Sequence, residues 1–164
     1  MPDVLRPMVM ADLADVLPTQ REGSVLGLGN VFPQDRYPFP DNAVHDRWVQ
    51  EIADPEIDCF VVIDANQRAA GFAATRGPEF LHFGTAIHTW GTGLAGAAHD
   101  DVLAHIRISG HDRAWLRVFA ANERARRFYE RRGWTPTGEQ VQSTFPPHPT
   151  LLQYAVVISS TDRP

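Results

Sequence analysis

Between Glu79 and Trp134 the chain reads as a strand, a glycine turn, a helix, a second strand and a second helix. This order constrains the fold more than any other stretch. Glu79 to Ile87 has a strand pattern, and His88-Thr89-Trp90-Gly91-Thr92-Gly93-Leu94-Ala95-Gly96 turns the backbone into a helix running to about Ser109. Ala114 to Ala120 is the next strand, and Asn122 opens a helix that Gly133 closes. A strand, a crossover helix and a second strand of this length make a right-handed parallel unit. In such a unit a ligand binds where the strands end and the turn meets the helix N-terminus. Backbone N–H groups left free there, together with the helix dipole, attract anions and phosphate above all.

The segment Gly91-Thr92-Gly93-Leu94-Ala95-Gly96 fits G-x-G-x-x-G, a pattern that is weak alone. A dinucleotide fold also needs an acidic residue about 20 positions on for the ribose, and Glu123 lies too far along. A plain glycine turn without a ligand is the bland alternative. The helix after the turn puts Leu94, Ala97, Ala98, Val102 and Ile106 inward, which leaves His99, Asp100, Asp101 and His105 as an expected solvated face rather than a metal site.

Asn122 to Trp134 carries more information. Asn122 is a preferred N-cap, Glu123 complements the positive helix end, Arg131 and Arg132 the negative end, and Gly133 is the usual residue beyond the C-cap. Ala125 and Tyr129 share a helix face beside Phe128. Taken alone, a tyrosine there is more often core than catalyst.

The rest of the chain follows the same reading. Val4 to Val9 is a short strand, Ala11 to Leu17 a short helix, and Ala43 to Ile52 a helix with Val44, Trp48 and Ile52 on one face. Between them, Glu22 to Asn42 is rich in glycine and proline, with Phe32, Tyr37 and Phe39 among them. Such a loop is either a binding loop or a cover over one edge of the core. Cys59–Ile63 and Ala69–Thr75 form an antiparallel pair leading into the strand at Glu79, and the run after Trp134 to Thr144 and Leu151–Ile158 are the last two strands. The expected fold is α/β (α+β): one domain over residues 1–164, built as a mixed sheet flanked by helices.

Composition narrows the function. An apolar share of 43% and a charged share of 21% are ordinary for a globular protein. The net charge of −5 argues against a nucleic-acid partner. Nowhere does the chain hold the roughly 18 apolar residues of a membrane span. Met1 to Gln20 lacks the apolar core of a signal peptide, and the single cysteine, Cys59, fits a reducing cytoplasm. Phe60–Ile63 and Leu151–Ile158 either fill the core or meet a second copy in a homodimer.

Glu79 to Trp134 resembles the GCN5-related N-acetyltransferase (GNAT) family. The family's turn, Gln/Arg-x-x-Gly-x-Gly/Ala, is matched by Gly91 and Gly93. Its Asn-x-x-Ala-x-x-Phe-Tyr-x-x-x-Gly-aromatic helix is matched completely by Asn122 through Trp134. Two positions depart: His88 stands where the family prefers Gln or Arg, and Ile87 where a proline usually ends the strand. The resemblance implies a mostly antiparallel sheet whose central parallel strands splay apart, and direct attack of an amine on acetyl-CoA without a metal or a covalent enzyme intermediate.

On that resemblance, the backbone of Trp90, Gly91, Thr92, Gly93, Leu94 and Ala95 holds the coenzyme pyrophosphate, with His88 at the start of the turn. The pantetheine arm pairs with the strand edge at Thr85, Ala86 and Ile87 and meets Asn122 and Ala125. The Phe83 backbone N–H faces the developing oxyanion. Tyr129 matches the acid that protonates the departing thiolate. Glu79 matches the glutamate base of the histone-acetylating branch, and by strand alternation it faces the same side as Leu81, Phe83 and Thr85, with His82 on the opposite face. The alternatives are that Glu79 is a strand-end surface charge, that His82 is the base, or that a water chain replaces both.

The acceptor is expected to be a small-molecule amine, its pocket framed by the loop Phe32 to Trp48 and by Phe145–Pro149. Asp35, Asp41 and Asp46 would favour a cationic acceptor. The alternatives to the enzyme are a non-catalytic acyl-CoA-binding module on the same fold and the nucleotide-binding reading.

Overall fold

The computed structural model describes residues 3–158. Seven strands form one sheet: β1 (Leu5–Pro7), β2 (Ile57–Ile63), β3 (Ala69–Arg76), β4 (Glu79–Thr85), β5 (Arg113–Phe119), β6 (Thr135–Gln142) and β7 (Thr150–Val157). Their order across the sheet is β1-β2-β3-β4-β5-β7-β6, and only β4 and β5 run parallel. Helices α1 (Leu13–Gly27) and α2 (Asp41–Ala53) cover one face, where Val16, Val44 and Trp48 pack on Val61, Phe72 and Ala74. Helices α3 (Leu94–Ile108) and α4 (Glu123–Glu130) cover the other, where Val102, Ile106, Tyr129 and Trp134 pack on Phe80, Leu116 and Val118. The expected element order and mixed sheet are the observed ones. Among the described residues no helix is long and apolar enough to cross a membrane.

The main boundary shifts are two: the strand expected to run to Ile87 ends at Thr85, with Ile87 on a 3-10 turn, and the helix expected over Ala11 to Leu17 is longer. The glycine-rich stretch expected to be loop from Glu22 is helical as far as Gly27, because the buried Leu13 and Val16 and the neighbouring α2 hold α1 together despite Pro18, Gly23 and Gly27. The loop is therefore Leu28–Pro40.

Local signals set the ends of the elements that matter most. Gly91 (φ +82°) and Gly93 (φ +92°) take left-handed conformations at the bend before α3 that a side chain would strain. Asn122 caps α4 by accepting the Ala125 N–H at 3.2 Å. Gly133 (φ +91°) ends the turn beyond it. Helix α4 is tied to the sheet by Tyr154, whose hydroxyl donates to Glu130 at 2.6 Å and accepts from Arg126 at 3.0 Å.

Strand β4 carries a bulge. Ala74 faces His82 and Thr75 faces Phe80, so Leu81 is an extra residue without a partner on β3. The bulge resets the alternation. Leu81 packs with the α1/α2 core and His82 meets Trp48 of α2 edge-on, whereas Phe80 and Phe83 both belong to the α3/α4 face. The expectation that His82 points away from Glu79 is thus corrected: both line one cleft on the α1/α2 face. Phe83, expected beside Glu79, is the side chain that moves to the opposite face.

Candidate active site

Strands β4 and β5 are paired at a single register position, Glu79 with Trp115, and separate beyond it. The hydrogen-bond alternation shows what lines the resulting gap. Ala86 N–H donates to Ala70 O at 2.8 Å, so on the β3 side the bonded positions are Ala86, Gly84 and His82. Phe83 and Thr85 therefore turn their N–H and C=O towards β5. On the other wall, Ala120 N–H donates to Thr150 O at 3.0 Å, which turns the backbone of Arg117 and Phe119 towards β4. The gap is a slot with peptide groups on both walls, suited to a peptide-like strand.

At the open end of the slot lies the bend. Gly91 and Gly93 are exposed, with open space where a Cβ would stand. Trp90 is held by its indole N–H, which donates to Thr85 O at 3.0 Å. Thr92 N–H turns back to Thr89 O. The amides of Gly91, Gly93, Ala95 and Gly96 have no acceptor among the described residues. They form the start of α3, where the helix dipole adds to them. The guanidinium of Arg124, on the first turn of α4, lies 3.5 Å from the centre of the Trp90 ring. Free amides, an open backbone and a cation at the mouth fit the diphosphate of a coenzyme. Leu94 begins α3, and His88 is exposed on the single 3-10 turn Ile87–Thr89 before the bend. Ala86 is buried, and Asn122 and Ala125 are half-buried at the start of α4.

Tyr129 sits on the α3/α4 face. Its ring is enclosed by Phe80, Phe128, His99 and Trp134, and its hydroxyl makes no hydrogen bond among the described residues. Burial pushes its pKa well above that of an ordinary phenol, so the group holds its proton at neutral pH.

The opposite face opens into a cleft of about 600 Å³ framed by the Leu28–Pro40 loop, α2, and the segment Ser143–Pro146. The rings of Phe32, Tyr37, Phe39, Phe119 and Phe145 line it. Glu79 is 5% exposed at its edge and is not a surface charge. One of its oxygens, Oε1, accepts from Arg76 Nη2 at 2.8 Å and Nε at 3.1 Å. His82 lines the same cleft and its Nε2 lies 2.8 Å and 3.1 Å from the two oxygens of Glu51 on α2. Burial, aided by the Arg47 charge, holds the His82 pKa below its usual value, against the pull of Glu51.

Sequence reading missed Glu51, Arg124, Arg47 and Arg117. Glu51 was detectable as a carboxylate on the same face of α2 as Val44 and Trp48. The remaining three converge only in the fold. Asp35, Asp41 and Asp46 do not line the cleft: all three are exposed, Asp41 facing Arg21 at 3.7 Å and Asp46 facing His45 at 3.3 Å. The expected solvated face of α3 is also corrected. His99 is 2% exposed beneath α4, Asp101 accepts the Val4 N–H at 2.8 Å, and His105 bonds Asp58 at 2.8 Å.

Comparison with known proteins agrees with this geometry. No curated protein sequence matches the chain. Among solved structures, it is similar to the spermidine N-acetyltransferase of Vibrio cholerae in complex with CoA and spermine, with a TM-score of 0.70 and 18% identity over 93% of this chain and 94% of that one. It is also similar to YjaB of Escherichia coli, in its apo form in solution, with a TM-score of 0.74 and 16% identity over 97% and 100% of the two chains. These likenesses establish the fold. The sequence model of the Acetyltransferase (GNAT) family matches residues 24–134, which take in α2, the bulged β4, the bend and α4. On that match the chain belongs to the GNAT family of acetyl-CoA-dependent N-acetyltransferases.

Proposed function

We propose that this enzyme transfers the acetyl group of acetyl-CoA to the primary amine of a small molecule, which enters through the aromatic cleft. The observation that carries the reading is the slot between β4 and β5. It joins the amide-lined bend on one face to the cleft on the other, so a thioester threaded through it reaches the acceptor. A small-molecule amine acceptor is also what the Vibrio cholerae relative holds, in the form of spermine.

In this reading the free amides of Gly91, Gly93, Ala95 and Gly96 bind the pyrophosphate, and the backbone of Phe83, Thr85 and Ile87, with Asn122 and Ala125, aligns the arm. Contrary to the expectation from sequence, the N–H groups of Trp90, Thr92 and Ala86 are already given to Ile87, Thr89 and Ala70. The Phe83 N–H donates to the thioester oxygen. Tyr129 gives its proton to the departing sulfur. Glu79, through the oxygen not committed to Arg76, removes a proton from the acceptor ammonium. A second reading, favoured by the Glu51–His82 hydrogen bond, gives that task to His82, with Glu51 orienting the ring as a carboxylate does in a triad. The single, buried cysteine supports operation in a reducing cytoplasm. A homodimer is part of the proposal only by analogy with oligomeric relatives, of which the Vibrio cholerae enzyme is a dodecamer.

The test is a thermal-shift titration with acetyl-CoA, CoA and NAD, coupled to an acceptor screen that follows thiol release. A native-state ligand at 100 times its Kd stabilises by about 2.7 kcal/mol. A rise in Tm with acetyl-CoA and CoA is expected. A response to NAD alone would overturn the reading, and CoA binding without turnover of any amine would leave a binding module in its place.

A further inference from the structure

The charges that line the acceptor cleft are unbalanced. Arg36, Arg47, Arg76 and Arg117 line it, and the one acidic lining residue, Glu79, is paired with Arg76. No carboxylate among the described residues lies within ion-pair distance of Arg36, Arg47 or Arg117. In a chain whose net charge is −5, the cleft is thus a local cationic site.

Arg47 has the most unusual surroundings. It projects from α2, its guanidinium stands 5.9 Å from the Phe145 ring, and its Nε is buried with no hydrogen-bond partner. Its neighbour Glu51 is taken up by His82. A partly buried guanidinium whose Nε–H reaches neither water nor a bonded anion is costly, and a planar oxyanion that accepts from Nε and a terminal nitrogen restores the balance. Burial depresses the Arg47 pKa, and the nearby Glu51 carboxylate, which is hydrogen-bonded to His82 instead, offsets that only in part.

We propose that the acceptor is an amino carboxylate with an apolar or aromatic body, its carboxylate held by Arg47 with Arg117 across the cleft, and its amine directed to Glu79 and His82. This rests on the acetyl-transfer reading above and deepens it. The aromatic rings of the cleft accommodate the body of such a molecule. A polyamine, as bound by the Vibrio cholerae relative, would instead bring several positive charges against three guanidinium groups, none of which is in an ion pair among the described residues.

The test uses L-phenylalanine, L-phenylalaninamide and spermidine as acceptors, followed by thiol release. N-acetyl-phenylalanine and its amide are titrated in parallel by calorimetry into the CoA-saturated protein. The proposal expects the acid to exceed the amide by about tenfold or more, in kcat/KM and in affinity, since hydrogen bonds to charged groups are the strong ones. Arg47→Gln should erase that preference by weakening the acid while sparing the amide. The exposed Arg117→Gln, which keeps the core intact, should reduce it partially. Equal binding of acid and amide, or a preference for spermidine, would overturn the proposal. The calorimetry reads carboxylate recognition without turnover, so its result stands apart from any failure of acetyl transfer.

Discussion

The indole N–H of Trp134 donates to His99 Nε2 at 2.9 Å, and both side chains are almost fully enclosed between α3 and the end of α4. The bond fixes the imidazole with Nε2 unprotonated and its proton on Nδ1, 2.9 Å from Asp100. Burial holds the His99 pKa below its usual value, so the neutral form belongs to the folded state. Above the unfolded value of about 6.5 its contribution to stability is fully present. It is lost as pH falls from there through the lower folded value, because the unfolded chain then binds more protons. His82 is shifted in the same direction and adds to the effect. Urea denaturation between pH 8 and 5 should show stability falling with pH, and His99→Phe should flatten part of that slope. The same change should cost about 1–3 kcal/mol at pH 8, by leaving the Trp134 N–H buried and unpaired. An unaltered slope in the variant would remove His99 from the account.

Tyr129 is predicted to act in turnover and not in coenzyme binding. Its hydroxyl has no partner among the described residues, so Tyr129→Phe keeps the ring packing against Phe80 and Trp134. Loss of a general acid lowers kcat by on the order of 100-fold. CoA affinity, measured by calorimetry, should stay within about twofold of the parent. Because burial raises the phenol, the parent should keep its acid function past pH 9. A variant with undiminished kcat would show that the aromatic body alone is needed.

How far the sequence could be read follows from where each signal lies. The bend and α4 were legible because their determinants are local. Gly91, Gly93 and Gly133 have left-handed φ, and Asn122 caps its own helix. The position of His82 was not, because an extra residue such as Leu81 leaves no mark in an unbroken strand pattern, yet reverses every later side chain. The cationic cleft was equally hidden. Arg47 comes from α2 and Arg117 from β5, and only the fold brings them to one cleft. Asp35, Asp41 and Asp46 misled for the converse reason: they are near the cleft in sequence, while the loop and helix turn them to solvent.

The bend should be the most sensitive point for the coenzyme. Gly93→Val places a branched side chain at φ +92°, a conformation such residues avoid, and so misaligns the amides that begin α3. CoA affinity should fall by about tenfold or more, the scale of one or two lost charge-assisted hydrogen bonds. Arg124→Ala removes a cation without altering the backbone. It should weaken CoA several-fold and lessen the loss of affinity on raising salt from 50 to 300 mM, since exposed charges are screened over about 10 Å at 0.1 M. Calorimetry at the two salt concentrations checks both. If Gly93→Val binds CoA like the parent, the phosphate grip lies elsewhere.

The two bases proposed for the acceptor can be separated, because they depend on different neighbours. Glu79 accepts from Arg76 through one oxygen, and His82 is held by Glu51. If Glu79 takes the proton, Glu79→Gln should lower kcat/KM by on the order of 100-fold, with the deficit greatest at low pH where the acceptor is most fully protonated. His82→Gln would then leave the profile's shape intact. If His82 is the base, its variant should abolish the acidic limb that its depressed pKa sets below about 6.5. Glu51→Gln should shift that limb, since the carboxylate supports the charged imidazole. Arg76→Gln is the control for charge: it frees Glu79 without removing it, so a loss seen in Glu79→Gln but absent from Arg76→Gln belongs to the carboxylate and not to its ion pair. Profiles of Glu79→Gln and His82→Gln that both matched the parent would return proton removal to water in the cleft.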